Sequence, residues 1–208
     1  MPTLAVLPRP PDSVPSPALS LRTEGTRIAI RAPRATDVPE LRWVLRRNAD
    51  HLRPWSPLPP AGEDPSSLTE LSKAVLRQRR EWKRGESFVF LVVLAGDDER
   101  ILGRIALTAV VRGVFQNAYL GYWIDAEHQG RGLMTEAVRL ATSFAFEGVR
   151  LHRVQAAVMP TNLGSVRVLD KAGYRREGLA ERYLQIGGRW EDHLLFGVTS
   201  EEWGSRDR

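Results

Sequence analysis

Hydrophobic and polar positions follow a two-residue period, or apolar residues run without a break, in eight segments of the chain. This patterning is typical of β-strands. The turn signals between segments are rich in Gly and Asp: residues 96–100 (GDDER), the region of Gly113, and the Gly187-Gly188 pair. The predicted strands are residues 27–31, 87–94, 101–111, 118–125, 153–158, 174–180, 182–186 and 189–198.

Four other segments repeat their apolar residues at helical spacing. Asp37 with Glu40, and Ser67 with Glu70, have the spacing of capping boxes at helix starts. Asn162 is a predicted N-cap, and Gly173 would then follow as the left-handed residue that ends that helix. The predicted helices are residues 38–47, 68–82, 133–148 and 163–172.

The resulting order of strands and helices predicts one α+β domain around a mostly antiparallel sheet, without internal repeats. Six of the 14 prolines lie in the first 17 residues, so residues 1–20 are predicted to form a disordered or loosely attached arm, or alternatively a proline-rich recognition ligand. The domain is then residues 21–203, with 204–208 as a tail. Residues 48–65 are too proline-rich for regular structure, and His51 and Trp55 favour a packed binding loop there.

The amino-acid composition excludes several classes of functional site. The chain has 208 residues and no cysteine, which excludes a thiol nucleophile, a disulfide scaffold and Cys-ligated metals, and fits the cytoplasm. Its longest apolar run is the eight residues 88–95, too short to span a membrane. The net charge of +5 comes from arginines scattered through all elements, so nucleic-acid binding is not favoured. The four histidines lack metal-ligand spacing, and we predict no metal.

The most informative motif is the glycine turn Gln129-Gly-Arg-Gly132, which separates a predicted strand from a predicted helix. Such a turn directs free backbone N–H groups and the positive end of the helix dipole at one point, a geometry that binds phosphate. No Gly-Lys-Ser/Thr follows, as a P-loop requires, and no third glycine, as a dinucleotide fold requires. On this motif alone, a tight turn that binds nothing remains the alternative.

A second block, PTNLGSVRVLDKAGYRREG at residues 160–178, gives the chain a family resemblance. Together with Gln129–Met134, it resembles the GNAT superfamily of acyl-CoA-dependent N-acetyltransferases, and within it the RimJ/RimL-type ribosomal-protein N-terminal acetyltransferases. The resemblance covers about residues 21–203, and Glu127 departs from the Gln or Arg usual at the start of the glycine loop. The block matches the family at Asn162, Ser165, Val168, Lys171, Gly173, Tyr174, Glu177 and Gly178.

The resemblance implies a GNAT fold, a mixed sheet that splays open and is flanked by about four helices, with acetyl-CoA as the co-substrate. Its pyrophosphate would lie on the glycine loop, and its pantetheine arm would pair with the strand before it. An amine attacks the thioester directly, which agrees with the absence of cysteine. The implied coenzyme residues are Trp123, Ile124, Asp125, Gln129, Gly130, Arg131, Gly132, Leu133, Met134, Asn162 and Lys171.

The catalytic roles are less determined. Ser165 could hydrogen-bond or protonate the departing thiolate, or could simply bond the helix backbone four residues back. Asn162 could contact pantetheine or only cap its helix. The general base is open between Glu181 and His193. Candidate substrate contacts are His51, Trp55, Tyr183 and His193.

Three hypotheses about function remain open, and the first two differ in the acceptor of the acetyl group. The first is the N-terminal α-amine of a protein, with ribosomal proteins among the candidates. The second is the same chemistry on a small amine such as an antibiotic, a polyamine or an amino acid. The third is a non-catalytic acyl-CoA-binding protein. A homodimer is a further expectation from the family.

Overall fold

The computed structural model describes residues 16–204, which contain an open eight-stranded sheet. The strands are β1 (Arg22–Glu24), β2 (Ile28–Arg31), β3 (Phe88–Leu94), β4 (Asp97–Val111), β5 (Asn117–Ile124), β6 (Arg153–Val158), β7 (Arg175–Ile186) and β8 (Arg189–Thr199). Their spatial order is β1-β2-β3-β4-β5-β6-β8-β7. The predicted α+β, mostly antiparallel fold is confirmed.

The sheet has one parallel pair of strands, β5 and β6, and it opens where the pairing of these two strands ends. Only three residue pairs join the two strands, and the last is Tyr119 with Gln155. Beyond that point β6 continues along β8 as far as Val158, while β5 continues along β4 to Ile124. The sheet therefore splays into a V between residues 120–124 and 156–158.

The helices are α1 (Val38–Arg47), α2 (Ala49–Leu52), α3 (Leu68–Arg84), α4 (Leu133–Ser143), α5 (Leu163–Ala172) and α6 (Ser200–Gly204). The four longer helices, α1, α3, α4 and α5, bury apolar residues against the two faces of the sheet. One core contains α4 and α5, with aromatic residues of β3 and the end of α3, and the smaller core packs α1 and α3 on the other face. Within residues 16–204 no helix is long and apolar enough to cross a membrane.

The predicted helix ends are confirmed for two helices. The Ser67 hydroxyl accepts from the Glu70 amide at the start of α3, and the Asn162 side chain accepts from the Ser165 amide at the start of α5. Gly173 ends α5 with φ +90°, a left-handed conformation that favours glycine.

Asp37 is not the N-cap side chain that its spacing with Glu40 predicts. Its carboxylate instead forms a bidentate ion pair with Arg31 on β2, with both N–O distances 2.8 Å, and accepts from the Arg34 amide. Both side chains are buried, 2% and 5% exposed. A capping pattern cannot reveal this pairing, because the partner lies on the preceding strand rather than on the helix.

Three other boundaries differ from the prediction. The short strand β1 was missed, and β7 is one strand with an irregular stretch after Ala180 where two were expected. The prediction of no regular structure in residues 48–65 was wrong, since α2 and a 3-10 turn at Arg53–Trp55 lie there.

Of the predicted arm, residues 1–15 lie outside the described residues. The carbonyl of Pro17 accepts from the Trp82 indole at 2.7 Å, so the attached chain begins before residue 21.

Candidate active site

The turn between β5 and α4 exposes uncapped amides. Gly130 and Gly132 have φ of +72° and +75°, a left-handed conformation that glycine adopts without strain. Gly132 occupies the N-cap position of α4 and has no side chain to accept from the first turn. The first helical bond runs from the Glu136 amide to the Gly132 carbonyl at 3.1 Å. The amides of residues 133–135 therefore precede the helix's own bonding and are available to an anion.

At most positions of this turn, an anion could contact only backbone N–H groups and not side chains. The side chains of Leu133 and Met134 are buried in the core, 6% and 4% exposed, so any contact of these residues with a ligand comes from their N–H groups. A Cβ built on Gly130 meets nothing within 4 Å. The turn thus presents open space beside its amides, and Arg131 lies exposed at its tip.

Arg27, the residue just before β2, supports the turn from outside the β5–α4 segment. It donates to the Arg131 carbonyl at 2.8 Å and pairs with the Glu136 carboxylate at 3.1 Å, and its backbone amide donates to the same carboxylate. A Cβ on Gly132 would lie 3.4 Å from its guanidinium. Burial alone would raise the pKa of Glu136, but the bonds from Arg27 hold that pKa below its ordinary value. The sequence contained no local signal for this contact, since the partners are 109 residues apart.

Replacing Glu136 with Gln is expected to raise the KM for acetyl-CoA about tenfold with kcat nearly unchanged. The neutral amide would hold Arg27 less firmly, and the turn would lose a charge-assisted hydrogen bond worth about 1.5–3 kcal/mol. Steady-state kinetics check the expectation. Glu70→Gln, which removes an exposed ion pair with Lys73 on α3, is the matched control. An equal effect in the control would refute the specific role of Glu136.

A buried polar cluster lies under the turn and connects it to α1. Asp125 is 1% exposed and accepts from the Asn48 side chain at 3.1 Å, and Arg47 contacts the same carboxylate. The Asn48 oxygen in turn accepts from the Ala126 amide at 2.9 Å. The Asp125 side chain thus faces α1, while its backbone N–H donates to the Leu102 carbonyl at 2.8 Å and its carbonyl accepts from the His128 amide at 2.9 Å.

Carboxylate and imidazole atoms of Asp125, Glu127 and His128 lie within 4.8 Å of one another, the one such grouping among the described residues. The Arg47 guanidinium contacts both carboxylates and already supplies the positive charge that a metal ion would bring. Burial and then the nearby charges of Arg100, Arg131 and Arg47 lower the pKa of His128. Arg47, Arg100 and Arg131 thus place positive charges close to His128 and the turn, which suits an anionic ligand.

The strand before the turn presents its backbone to the splay. Trp123 packs against the core of α1 and α3, and Ile124 packs against the core of α4 and α5. Successive side chains of a strand point to opposite faces, so the edge between them is backbone alone. Along residues 120–124 this edge faces the gap left by β6.

Ser165 reaches the splay from the first turn of α5. Its hydroxyl lies 2.9 Å from the hydroxyl of Tyr122 on β5, a contact across the splay rather than within the helix. The Asn162 oxygen caps the helix, leaving only its amide nitrogen for a pantetheine contact. Lys171 is exposed near the other end of α5, about 9 Å along the helix from Ser165. Tyr122 was missed because a tyrosine within a strand pattern is typical of packing alone.

The predicted substrate residues lie on two parts of the chain that are in contact, the segment of α2 with the 3-10 turn after it and the β7–β8 hairpin. His51 lies on α2, and its Nε2 is 2.9 Å from the side-chain nitrogen of Gln129, so the glycine turn and α2 are in contact. Trp55 is half-buried in the following 3-10 turn. The carbonyl of the next residue, Ser56, accepts from the Gly187 amide at the tip of the β7–β8 hairpin, which closes one side of the cleft.

The β7–β8 hairpin also carries the other two predicted substrate residues, His193 and Tyr183. His193 on β8 is 3% exposed, and its Nδ1 lies 2.9 Å from the Glu191 carbonyl, which can only accept, so the proton is on Nδ1. Its ring is 5.8 Å from that of Tyr183. Burial and then the neighbouring Tyr119 raise the pKa of Tyr183. Glu181 is exposed on the irregular stretch of β7.

The sequence profile of the acetyltransferase (GNAT) domain matches residues 27–175, which include both the glycine turn and α5. The chain belongs to the GNAT acetyltransferase family. It is an N-acetyltransferase that uses acetyl-CoA as its donor, as the glycine turn and the block at residues 160–178 predicted.

Relatives of this GNAT acetyltransferase resemble it over nearly its whole length. The probable N-acetyltransferase YjcK of Bacillus subtilis is 36% identical over 86% of this chain and 97% of its own. The ribosomal protein uS5-alanine N-acetyltransferase of Escherichia coli is 32% identical over 90% and 94%. The structure of Mycobacterium smegmatis RimJ in complex with CoA-disulfide superposes with a TM-score of 0.78 at 32% identity, covering 84% of this chain and 83% of that one.

Proposed function

We propose that the acceptor is the N-terminal α-amine of a protein, with ribosomal proteins as the first class to test. The observation that carries the proposal is the similarity to the Escherichia coli enzyme named for ribosomal protein uS5, which extends over 94% of that enzyme. Trp55 and Tyr183 support it, because both rings are half-buried and can pack against the end of a peptide. Homodimer formation stays a prediction.

In the proposed mechanism, acetyl-CoA, the acetyl donor, is bound mainly by backbone groups. The amides of Gly130 to Met134 bind the pyrophosphate, and Arg131 adds a charge at the exposed tip. The pantetheine arm lies along residues 120–124 as an additional strand, which places the thioester in the splay. Ser165 then lies on α5 where the sulfur leaves, and its hydroxyl stabilises the thiolate.

The acceptor side must bring a neutral amine to the thioester carbonyl. A peptide α-amine has a pKa of about 7.7–8.0, so a modest fraction is already neutral at pH 7. With Nδ1 protonated, the neutral His193 ring has a lone pair on Nε2 that can accept a proton from the amine or through a water. We assign the base to His193 rather than Glu181, because an exposed carboxylate is not held in one position.

His193→Gln is expected to lower kcat at least about 100-fold, the usual contribution of a positioned general base. Glu181→Gln is the matched control and should keep kcat within about twofold. A large loss in the Glu181 variant, with His193→Gln unaffected, would transfer the role of base to Glu181.

Thiol release from acetyl-CoA with a panel of acceptors tests the function. The panel pairs short peptides bearing free N-termini with the same peptides blocked at the α-amine, together with polyamines, amino acids and aminoglycosides. The proposal predicts turnover on the free peptides and a loss of that turnover on blocking. Turnover on small amines alone would support the second hypothesis, and none with any acceptor would support an acyl-CoA-binding protein.

A further inference from the structure

A phenol and a hydroxyl lie in contact inside the open part of the splay. Tyr122 lies on β5, three residues beyond the last pairing of β5 with β6 at Tyr119. Its hydroxyl is 2.9 Å from the Ser165 hydroxyl and donates to the Ser165 carbonyl at 3.1 Å. Both contacts are with one residue of α5, so Tyr122 connects the free edge of β5 to the start of that helix.

The phenol is a permanent donor at physiological pH. Burial raises the pKa of Tyr122 far above that of an ordinary tyrosine, and its bond to Ser165 opposes that shift only in part. Its single hydrogen has two acceptors on Ser165 within reach, the carbonyl oxygen and Oγ. Rotation about the phenol C–O bond alone exchanges one for the other, without movement of either side chain.

A serine hydroxyl has one hydrogen and two lone pairs, and on its own it rotates freely. When Tyr122 donates to the carbonyl, the serine hydrogen can point back at the phenol oxygen. When Tyr122 donates to Oγ, that lone pair is occupied and the serine hydrogen is directed elsewhere. The second arrangement is the one that a developing anion in the splay would favour.

We propose that Tyr122 is a positioning residue, which orients the Ser165 hydroxyl so that its hydrogen points at the departing sulfur of CoA. The inference rests on the proposed role of Ser165. As the C–S bond of the tetrahedral intermediate breaks, its electron pair goes to sulfur, and the Ser165 hydrogen bond stabilises the thiolate. Tyr122 and Ser165 keep their protons throughout, and the free thiolate takes one from water.

The test compares Tyr122→Phe, Ser165→Ala and the double variant, using whichever amine the wild-type enzyme acetylates. Tyr122→Phe removes one oxygen and should lower kcat about tenfold, with the KM for acetyl-CoA within about twofold of wild type. The double variant should be no slower than Ser165→Ala, because Tyr122 acts only through Ser165. Since any acceptor suffices, failure of this inference is distinct from failure of the proposed peptide acceptor.

Tyr174→Phe is the matched control, because it removes another buried phenol, 2.7 Å from the Thr142 hydroxyl and outside the cleft. It should lower the melting temperature and leave kcat unchanged. The inference is overturned if Tyr122→Phe keeps kcat within about twofold, if its effect multiplies with that of Ser165→Ala, or if it raises KM as much as it lowers kcat. Should Tyr122→Phe not fold, fluorotyrosine at position 122, a stronger donor, must raise kcat; an unchanged kcat overturns the inference.

Discussion

Gly132→Glu is expected to weaken CoA binding at least about 100-fold and to abolish detectable turnover. The new carboxylate would lie next to the uncapped amides of α4 and within reach of the Arg27 guanidinium, whose Nη2 is 3.4 Å from the position of the added Cβ. It would occupy the anion site and repel the pyrophosphate, and juxtaposed like charges cost several kcal/mol. Isothermal titration with CoA measures the loss.

Backbone strain must be separated from charge in this experiment, because Gly132 has φ +75°. Gly132→Gln introduces the same strain and nearly the same bulk without the charge, and should retain measurably tighter binding than Gly132→Glu. Gly96→Glu adds the same residue at φ +84° in the β3–β4 turn, where a Cβ meets nothing within 4 Å, and should bind CoA like wild type. Equal affinity in Gly132→Glu and wild type would remove the glycine turn from the coenzyme site.

Asp37→Ala is expected to lower the free energy of unfolding by about 3–5 kcal/mol, a large part of the 5–15 kcal/mol typical of a domain. The substitution would leave the Arg31 guanidinium, 2% exposed, without its bidentate partner. Its nearest remaining carboxylate, on Asp98, is 3.8 Å from the guanidinium Nε. Urea unfolding at constant m-value measures the change.

The double variant Arg31→Met with Asp37→Leu controls for the loss of the pair itself. Replacing both partners with apolar residues removes the cost of burying charge, and such replacements are often neutral or stabilising. We therefore expect the double variant to be more stable than Asp37→Ala alone. A loss below about 1 kcal/mol in Asp37→Ala would show that water or Asp98 compensates the buried arginine.

Local signals in the sequence predicted much of the fold. Ser67, Asn162 and Gly173 act through bonds to their own helices, so their roles follow from residues three or four positions away. The glycine turn is equally local, because the conformation of two glycines and the start of a helix define it. The motif alone is therefore sufficient to predict a candidate anion site at this turn.

The contacts that could not be predicted all connect distant elements. Arg27 reaches the turn from just before β2, and Tyr122 meets Ser165 across the splay, 43 residues away. Asp37 is a second kind of case. Its spacing with Glu40 predicts a helix cap, but its carboxylate pairs instead with Arg31 on β2, the preceding strand. Such pairings depend on the sheet order, which the alternation of polar and apolar residues does not encode.

A structure of the enzyme with bound CoA is the direct test of the proposed coenzyme site. We expect the pyrophosphate to accept from the amides of residues 130–134 and the pantetheine arm to pair with the free edge of β5 along residues 120–124. The sulfur should then lie within hydrogen-bonding distance of the Ser165 hydroxyl. A pyrophosphate bound away from the glycine turn, or an arm that leaves the splay empty, would contradict it.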